Sequence, residues 1–321
     1  MQLCCDGAMG RSGVRSAWGD VPASIRAEVD RIAGANIVDA RNVEGGFSPG
    51  PAARCELADG RVVFVKAAGT SLNAMSATMH RREAEVLATL PDQFPAPKLI
   101  GVADDGDWVA IVISWSDATM PTAPLTAAEC DRILRLTERL ADNGNGVAVD
   151  SLIPAAEVHS DVAGHWQLLV EEPLRGLDAW TSANLGELVR LESGYAAAVE
   201  GDCVVHGDLR SDNVLLGATA ADDVVVDWPG ACRGAAWIDL VGLLPSLHLD
   251  GGAEPHEVFA TTEIGRSADA AAVDVFLAAV AGYFTRMSLL PPPPGLPTVR
   301  QFQAAQGVVA RSWLQARLDA A

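Results

Sequence analysis

The sequence is short of positive charge: its 321 residues carry 23 Lys and Arg against 42 Asp and Glu, a formal net charge of −19 at pH 7. A protein that neutralises a run of nucleic-acid phosphates needs the opposite balance, so nucleic acid is not expected as a partner. Cysteine is sparse and poorly spaced for chemistry. Cys4, Cys5, Cys55, Cys130, Cys203 and Cys232 form no CxxC pair and lack the density of a small disulfide-held scaffold, so they read as free thiols of a reducing compartment. The opening MQLCCDGAMGRSGVRSAW has no continuous apolar run of the signal-peptide kind, and the longest apolar stretch, Val275 to Phe284, is shorter than a bilayer requires. No membrane partner is expected, and the expected location is the cytoplasm. Internal repeats are also lacking.

What is present is a 49% hydrophobic content over a chain long enough for one large or two moderate domains. Residues 1–20 are rich in Gly, Ser and Arg without periodicity and read as an extension. Ile25, Val29 and Ile32 then fall at helical intervals, predicting a helix over Pro22 to Ala33. The stretches ARCEL (Ala53 to Leu57) and VVFVK (Val62 to Lys66) flank the turn Ala58-Asp59-Gly60 and predict a hairpin. A helix over 76–90, the turn-rich PDQFPAP and an apolar strand over Trp108 to Ile113 follow. Beyond Ser114 the Pro and Thr rich DATMPTAPLT leads into a helix opened by Thr126 and Glu129 at capping-box spacing. The expected division is therefore 1–20, 21–117 and 118–321. The last part reads as helical over 126–142, 182–199, 234–248, 268–288 and 299–318, with short strands at 203–206, 214–216 and 223–227. Pro291 to Pro294 form a stiff spacer before the final helix.

The run VVHGDLRSDNVLL puts His206, Asp208 and Asn213 on a loop between two apolar strand-like pairs, and VVVDWPG puts Asp227 at the end of another. Phosphoryl transfer needs a group that orients the attacking hydroxyl and oxygen ligands for Mg2+. Asp208, Asn213 and Asp227 supply those parts. The pattern HGDxxxxN followed by a strand ending in Asp-Trp resembles the aminoglycoside phosphotransferase and choline kinase superfamily, a branch of the protein-kinase-like fold. The resemblance implies an α+β bilobal architecture, a small β-rich N-terminal lobe and a larger, mostly helical C-terminal lobe, with ATP or GTP and Mg2+ between them. It implies that Asp208 is the catalytic base or hydroxyl-positioning group, that Asn213 and Asp227 hold metal, and that Arg210 faces the transferred phosphate. Lys66, ending its strand, and Glu83, on the same helical face as Leu87 and Leu90, fit the cation that meets nucleotide phosphates and the carboxylate that holds it. The resemblance also implies nucleotide contacts at Ser48, in the Gly-rich NVEGGFSPG, and at Ser114 and Ser116, after the apolar strand. His206 and Asp239 are expected to support the loop.

Two other classes were open to these residues. A metallohydrolase using His206, Asp208 and Asp227 needs more histidines, and His80, His159, His165, His248 and His256 form no close ligand pattern. A pseudokinase would lack a base or a metal ligand, and none is lacking. Only eleven residues separate Asp227 from Asp239, which leaves no room for an activation segment, and DWP and HGD stand where a protein kinase has DFG and HRD. A peptide substrate is not expected. The acceptor is expected to be a small hydroxyl compound, an aminoglycoside or other amino-bearing antibiotic, with a metabolic kinase for an amino sugar, choline or homoserine as the alternative. Asp250, Glu254 and Glu257 favour a cationic acceptor, or else form an acidic surface loop beside Gly251 and Gly252. Trp115, Trp166, Trp180 and Trp237 line the pocket or fill the core.

Overall fold

The computed structural model describes residues 15–43, 49–145, 147, 152–293 and 296–320. The chain divides into two units: one holds the residues up to Leu90 with Ala96–Asp117 and Pro293–Thr298, the other Pro91–Pro95, Ala118–Pro292 and the residues from Val299.

The first unit opens with helix α1 (Ala23–Ala33). Its apolar positions Ile25 and Val29 are buried one turn apart, and Gly34, left-handed at φ 78°, ends it by donating to Asp30 and Arg31 carbonyls. Five antiparallel strands follow: β1 (Ile37–Asn42), β2 (Ala52–Leu57), β3 (Val62–Gly69), β4 (Leu99–Asp104) and β5 (Trp108–Ser114), in the order β1-β2-β3-β5-β4. Alternation sends Ala53, Cys55, Leu57, Val63, Val65 and Ala67 into one core with Ile25 and Val29. Each such valine or isoleucine contributes about 1.5–3 kcal/mol on burial, enough to hold α1 against the sheet. Lys66 falls on the opposite face. β1 and β4, absent from the sequence reading, are the two edges of the sheet, and their mixed burial gives little apolar pattern to read.

Helix α2 (Thr70–Thr89) starts six residues before the expected Ser76. Its backbone breaks at Asn73 (φ −159°, ψ 98°), whose Oδ1 accepts the Ser76 N–H at 2.9 Å. The predicted start is thus where the chain caps itself anew. Burial pushes the Cys55 thiol up to about 12, far from reactivity.

In the second unit, α3 (Ala127–Gly144) opens on a reciprocal capping box: the Glu129 N–H donates to Thr126 Oγ1 at 3.3 Å and the Thr126 N–H to Glu129 Oε2 at 2.8 Å. Then come α4 (Ala155–Val158), α5 (His165–Glu171), α6 (Ala179–Glu192) and α7 (Tyr195–Ala198), the last two replacing the single helix expected over 182–199. β6 (Cys203–Val205), β7 (Val214–Leu215), β8 (Val224–Val225) and β9 (Cys232–Gly234) form two short ribbons, β6 with β9 and β7 with β8. Because Gly234 completes β9, helix α8 (Ile238–Leu249) begins later than expected. Helices α9 (Pro255–Thr261), α10 (Glu263–Ser267), α11 (Ala270–Leu289) and α12 (Val299–Ala320) complete the unit. As a 20-residue helix, α11 is long and apolar enough to cross a bilayer by composition, contrary to the estimate from the sequence. Its Val273, Leu277, Ala278 and Ala281 are buried, and it packs against α12, α5, α6 and α7 as a core helix. Pro91–Pro95 joins this unit because the Val225 N–H donates to Pro95 O at 2.7 Å and Phe94 meets Trp228 edge to face.

Candidate active site

The loop from His206 to Asn213 leaves the buried strand β6 and enters β7, so both its ends are fixed by paired backbone. Asp239, in the first turn of α8 and 5% exposed, accepts the His206 N–H at 2.7 Å and the Gly207 N–H at 2.9 Å. Burial raises the Asp239 carboxyl above its ordinary range, against the pull of His206 and the two N–H groups. Gly207 is left-handed (φ 78°), and a Cβ there would lie 2.5 Å from Gly230 O and closer still to His159 Nε2. No other residue type fits.

The His206 ring is a staple. Its Nε2–H donates to Val226 O at 3.1 Å, its Nδ1 accepts the Asp208 N–H at 3.3 Å, and it meets the indole of Trp228 edge on at 4.8 Å. One nitrogen donating and one accepting defines a neutral imidazole, and burial favours that form by lowering its pKa. Trp228 is fully buried, with Nε1–H donating to Val225 O at 2.7 Å. His159 Nε2–H reaches Gly230 O at 2.9 Å, tying the segment after Asp227 from a distant helix end. Arg132 of α3 pairs with the buried Asp223 and holds the turn joining β7 to β8.

At the tip, the Asp208 side chain is half exposed. The protein around it nevertheless limits its solvation and raises its carboxyl above the usual range; Arg210 opposes this, and Asp227 and Asp212 add to it. Arg210 Nη1 donates to Asp208 Oδ1 at 2.8 Å and Oδ2 at 3.1 Å, while its Nε and Nη2 donate to Asp212 at 2.9 and 3.2 Å. Burial works against the guanidinium charge, but the Asp208 and Asp212 carboxylates hold it protonated beyond its ordinary range. Asn213 Nδ2 donates to Asp208 O at 2.8 Å and the Val226 N–H donates to Asn213 O at 2.9 Å. That use of its amide nitrogen leaves Asn213 Oδ1 as the oxygen it can offer a cation. Asp227 is exposed and left-handed at φ 70°, the one non-glycine positive φ among the described residues. Such a backbone costs on the order of 1–3 kcal/mol and marks a position held by its surroundings.

The donor set fits Mg2+. Among the described residues no group of three or more His, Cys, Asp or Glu side chains stands ready for a metal, whereas Mg2+ takes one or two protein oxygens and completes its shell with phosphates and water. One carboxylate, Asp227, and one amide oxygen, Asn213, suit that habit.

In the first unit, Lys66 Nζ on β3 lies 2.8 and 2.7 Å from Glu83 Oε1 and Oε2 on α2, with Glu83 1% exposed. Glu85 is exposed. Ser114 is occupied at the end of β5: its Oγ accepts the Lys98 N–H at 2.9 Å and its N–H donates to Lys98 O at 2.8 Å. Ser116 is half-buried two residues on, and between them Trp115 donates to Asp117 at 2.8 Å under the Arg54 guanidinium. Ser48 lies outside the described residues.

The acidic trio splits apart. Asp250, at the end of α8, accepts the Ser211 hydroxyl, so it anchors the His206 to Asn213 loop; Glu254 and Glu257 are exposed at the start of α9. Trp166 and Trp237 are core, and Trp180 is half-buried. The sequence reading missed Asp212, His159, Trp228 and Asp223. Asp212 had a signal, since it stands two residues from Arg210 within the motif; His159 had none.

A five-stranded sheet carrying a lysine clamped to a helix carboxylate, and a largely helical unit carrying the His206 to Asn213 loop, define the bilobal protein-kinase-like fold. A sequence profile of the phosphotransferase enzyme family (APH) matches residues 40–276. The chain belongs to that family, within the aminoglycoside phosphotransferase and choline kinase superfamily, and is a phosphotransferase. Among solved structures it is similar to a thermostable mutant of aminoglycoside phosphotransferase APH(4)-Ia in complex with ADP and hygromycin B. The identity is 14% over 90% of this chain and 99% of that one, with a TM-score of 0.58. It is also similar to choline kinase LicA from Streptococcus pneumoniae (14% identity, 92% of this chain and 98% of that one, TM-score 0.57). A third is aminoglycoside-3'-phosphotransferase of type VIII (22%, 81% and 97%, TM-score 0.55). At these identities the likeness is one of fold. Comparison with curated proteins gives no match.

Proposed function

We propose that the chain transfers the γ-phosphoryl group of ATP, with Mg2+, to a hydroxyl of a small amino-bearing molecule, an aminoglycoside or a comparable antibiotic. The observation that carries this reading is the Asp208 carboxylate, half exposed at the tip of a loop whose backbone is fixed by Asp239. In this reading residues 21–117 are the nucleotide-binding lobe and 118–321 the catalytic and acceptor lobe. Asp208 accepts the hydrogen bond of the acceptor hydroxyl and orients its oxygen for in-line attack; the new O–P bond forms as the bond to the β-phosphate oxygen breaks, the proton passes to the carboxylate and ADP leaves. Lys66, aimed by Glu83, meets nucleotide phosphates. Arg210 offers positive charge beside the reacting groups. Asn213 and Asp227 would hold Mg2+, which supplies neutralisation of charge on the phosphate oxygens.

The amino-bearing acceptor is supported by the excess of carboxylates around the tip, Asp208, Asp212 and Asp227 against Arg210 and His159, and by the names of the structural neighbours, aminoglycoside and choline enzymes. A metabolic kinase of the choline or amino-sugar type is the second reading, favoured by a TM-score of 0.57 for the choline kinase beside 0.58 for APH(4)-Ia. A cytoplasmic setting, where ATP and free thiols coexist, suits both. The test is ADP release from Mg-ATP, and separately GDP release from Mg-GTP, over aminoglycosides, other hydroxylated antibiotics, amino sugars, choline and homoserine. Stimulation by an aminoglycoside supports the first reading and by choline or an amino sugar the second. Stimulation by neutral hydroxyl compounds alone contradicts both.

A further inference from the structure

The Arg210 guanidinium has two edges and a face, and each is engaged. Nη1 goes to Asp208, at 2.8 and 3.1 Å. The Nε and Nη2 edge meets both oxygens of Asp212 as a parallel fork, at 2.9 and 3.2 Å, the geometry in which an arginine is held in plane as well as in place. The face lies over the ring of Phe302 on α12, with Cζ 5.5 Å from the centroid, within cation–π range.

We propose that Asp212 is a positioning residue for phosphoryl transfer, which together with Phe302 fixes the Arg210 guanidinium so that Nη1 stays at Asp208. The inference rests on the phosphotransferase reading above, since it gives Arg210 its place beside the reacting groups. Asp212 is not a solvated surface ion pair. The side chain is 14% exposed and Arg210 21%, whereas pairs worth nothing measurable are solvated and loosely held. The loop backbone has supports of its own. Asp239 holds His206 and Gly207, Asp250 and Ser246 hold Ser211, and Asn213 holds the Asp208 carbonyl. The Asp212 fork adds the orientation of the flexible Arg210 side chain. An arginine free in solution loses about 2 kcal/mol of rotamer entropy when it is fixed, and the clamp makes that loss part of folding instead of part of the transition state.

The test is a double-mutant cycle on the full chain, read as ADP release from Mg-ATP with water as acceptor and with hygromycin B as acceptor. Asp212→Ala is expected to lower kcat about 10- to 100-fold while the KM for ATP moves less than about 3-fold. Phe302→Leu is expected to lower kcat about 3- to 10-fold. In the Arg210→Ala background both substitutions are expected to cost nothing further, because the group they position is gone. Asp212→Asn, which keeps the shape, replaces Asp212→Ala in the cycle should the alanine variant unfold. Losses that multiply in the double variant, or wild-type kcat in both Asp212 variants, overturn the proposal. Asp208→Ala runs alongside: if it retains transfer, the underlying reading fails. If it is inactive and the cycle is additive, the positioning role alone fails.

Discussion

Lys66 Nζ lies within 2.8 Å of both carboxylate oxygens of Glu83, and only 1% of the Glu83 side chain is exposed. Removing one partner of a buried pair leaves the other's charge poorly compensated, a loss on the order of 3 kcal/mol or more. Lys66→Met is therefore expected to lower unfolding stability by about that amount and to raise the KM for ATP. Lys66→Met/Glu83→Leu should recover stability but not nucleotide affinity. Urea unfolding together with ATP titration separates the two effects; a stable, fully active Lys66→Met would contradict the role of the pair.

Asp239 acts on the loop through its backbone, accepting the N–H groups of His206 and Gly207. Hydrogen bonds to a charged acceptor contribute about 1.5–3 kcal/mol each. Asp239→Asn turns one acceptor into a donor facing an N–H group. It is expected to lower the unfolding midpoint and to reduce kcat at least 10-fold, with a smaller change in ATP affinity, as measured by steady-state kinetics and isothermal titration.

Gly207 is the residue of the loop that steric arithmetic fixes most tightly. Gly207→Ala would force a Cβ into a left-handed backbone and against Gly230 O, a cost of about 2 kcal/mol or more. His159→Ala is expected not to rescue it, since the carbonyl clash remains. Rescue, seen as a restored melting temperature, would mean that the histidine alone sets the requirement.

His165 and His206 are both neutral in the fold. Their Nε2–H groups donate to the Asp161 and Val226 carbonyls, and burial lowers both pKa values below 6.5. The unfolded chain then binds more protons, so their contribution is full above pH 6.5 and is lost as pH falls through the folded values, by at most about 1.4 kcal/mol per pH unit each. Asp239 and Glu192, whose carboxyls burial raises, act with the opposite sign, losing stability as pH rises through their folded values. The difference between variants isolates the histidine. Between pH 7.5 and 5.5, His165→Phe should lose less stability than the unsubstituted chain, by denaturant melts at each pH; an equal or larger loss would mean that His165 does not titrate as placed.

How much of this was legible depended on range. The apolar alternation of β3 and the helical face of α2 put Lys66 and Glu83 in view because each is a local pattern; the loop motif carried Asp208 and Asn213 in one short run, and Asp227 closed the apolar run that follows. Of the edges, β1 lacks a regular alternation, and β4 hides its own because Ile100 and Val102 are apolar on its exposed face. His159 bonds to Gly230 across 71 residues of chain, and Phe302 reaches Arg210 from the last helix; no spacing rule joins residues so far apart. Asp250, expected for its charge to meet substrate, accepts the Ser211 hydroxyl from its place after α8, a contact no local pattern shows.

In the proposed reaction Asp208 positions an acceptor hydroxyl for attack on a bound nucleotide. The most direct measurement compares the unsubstituted chain with Asp208→Ala in two assays, phosphoryl transfer from γ-labelled Mg-ATP to an acceptor and equilibrium binding of ATP. Asp208→Ala is expected to abolish transfer while ATP binds within about 3-fold of its original affinity. Transfer near the original rate in Asp208→Ala would contradict it.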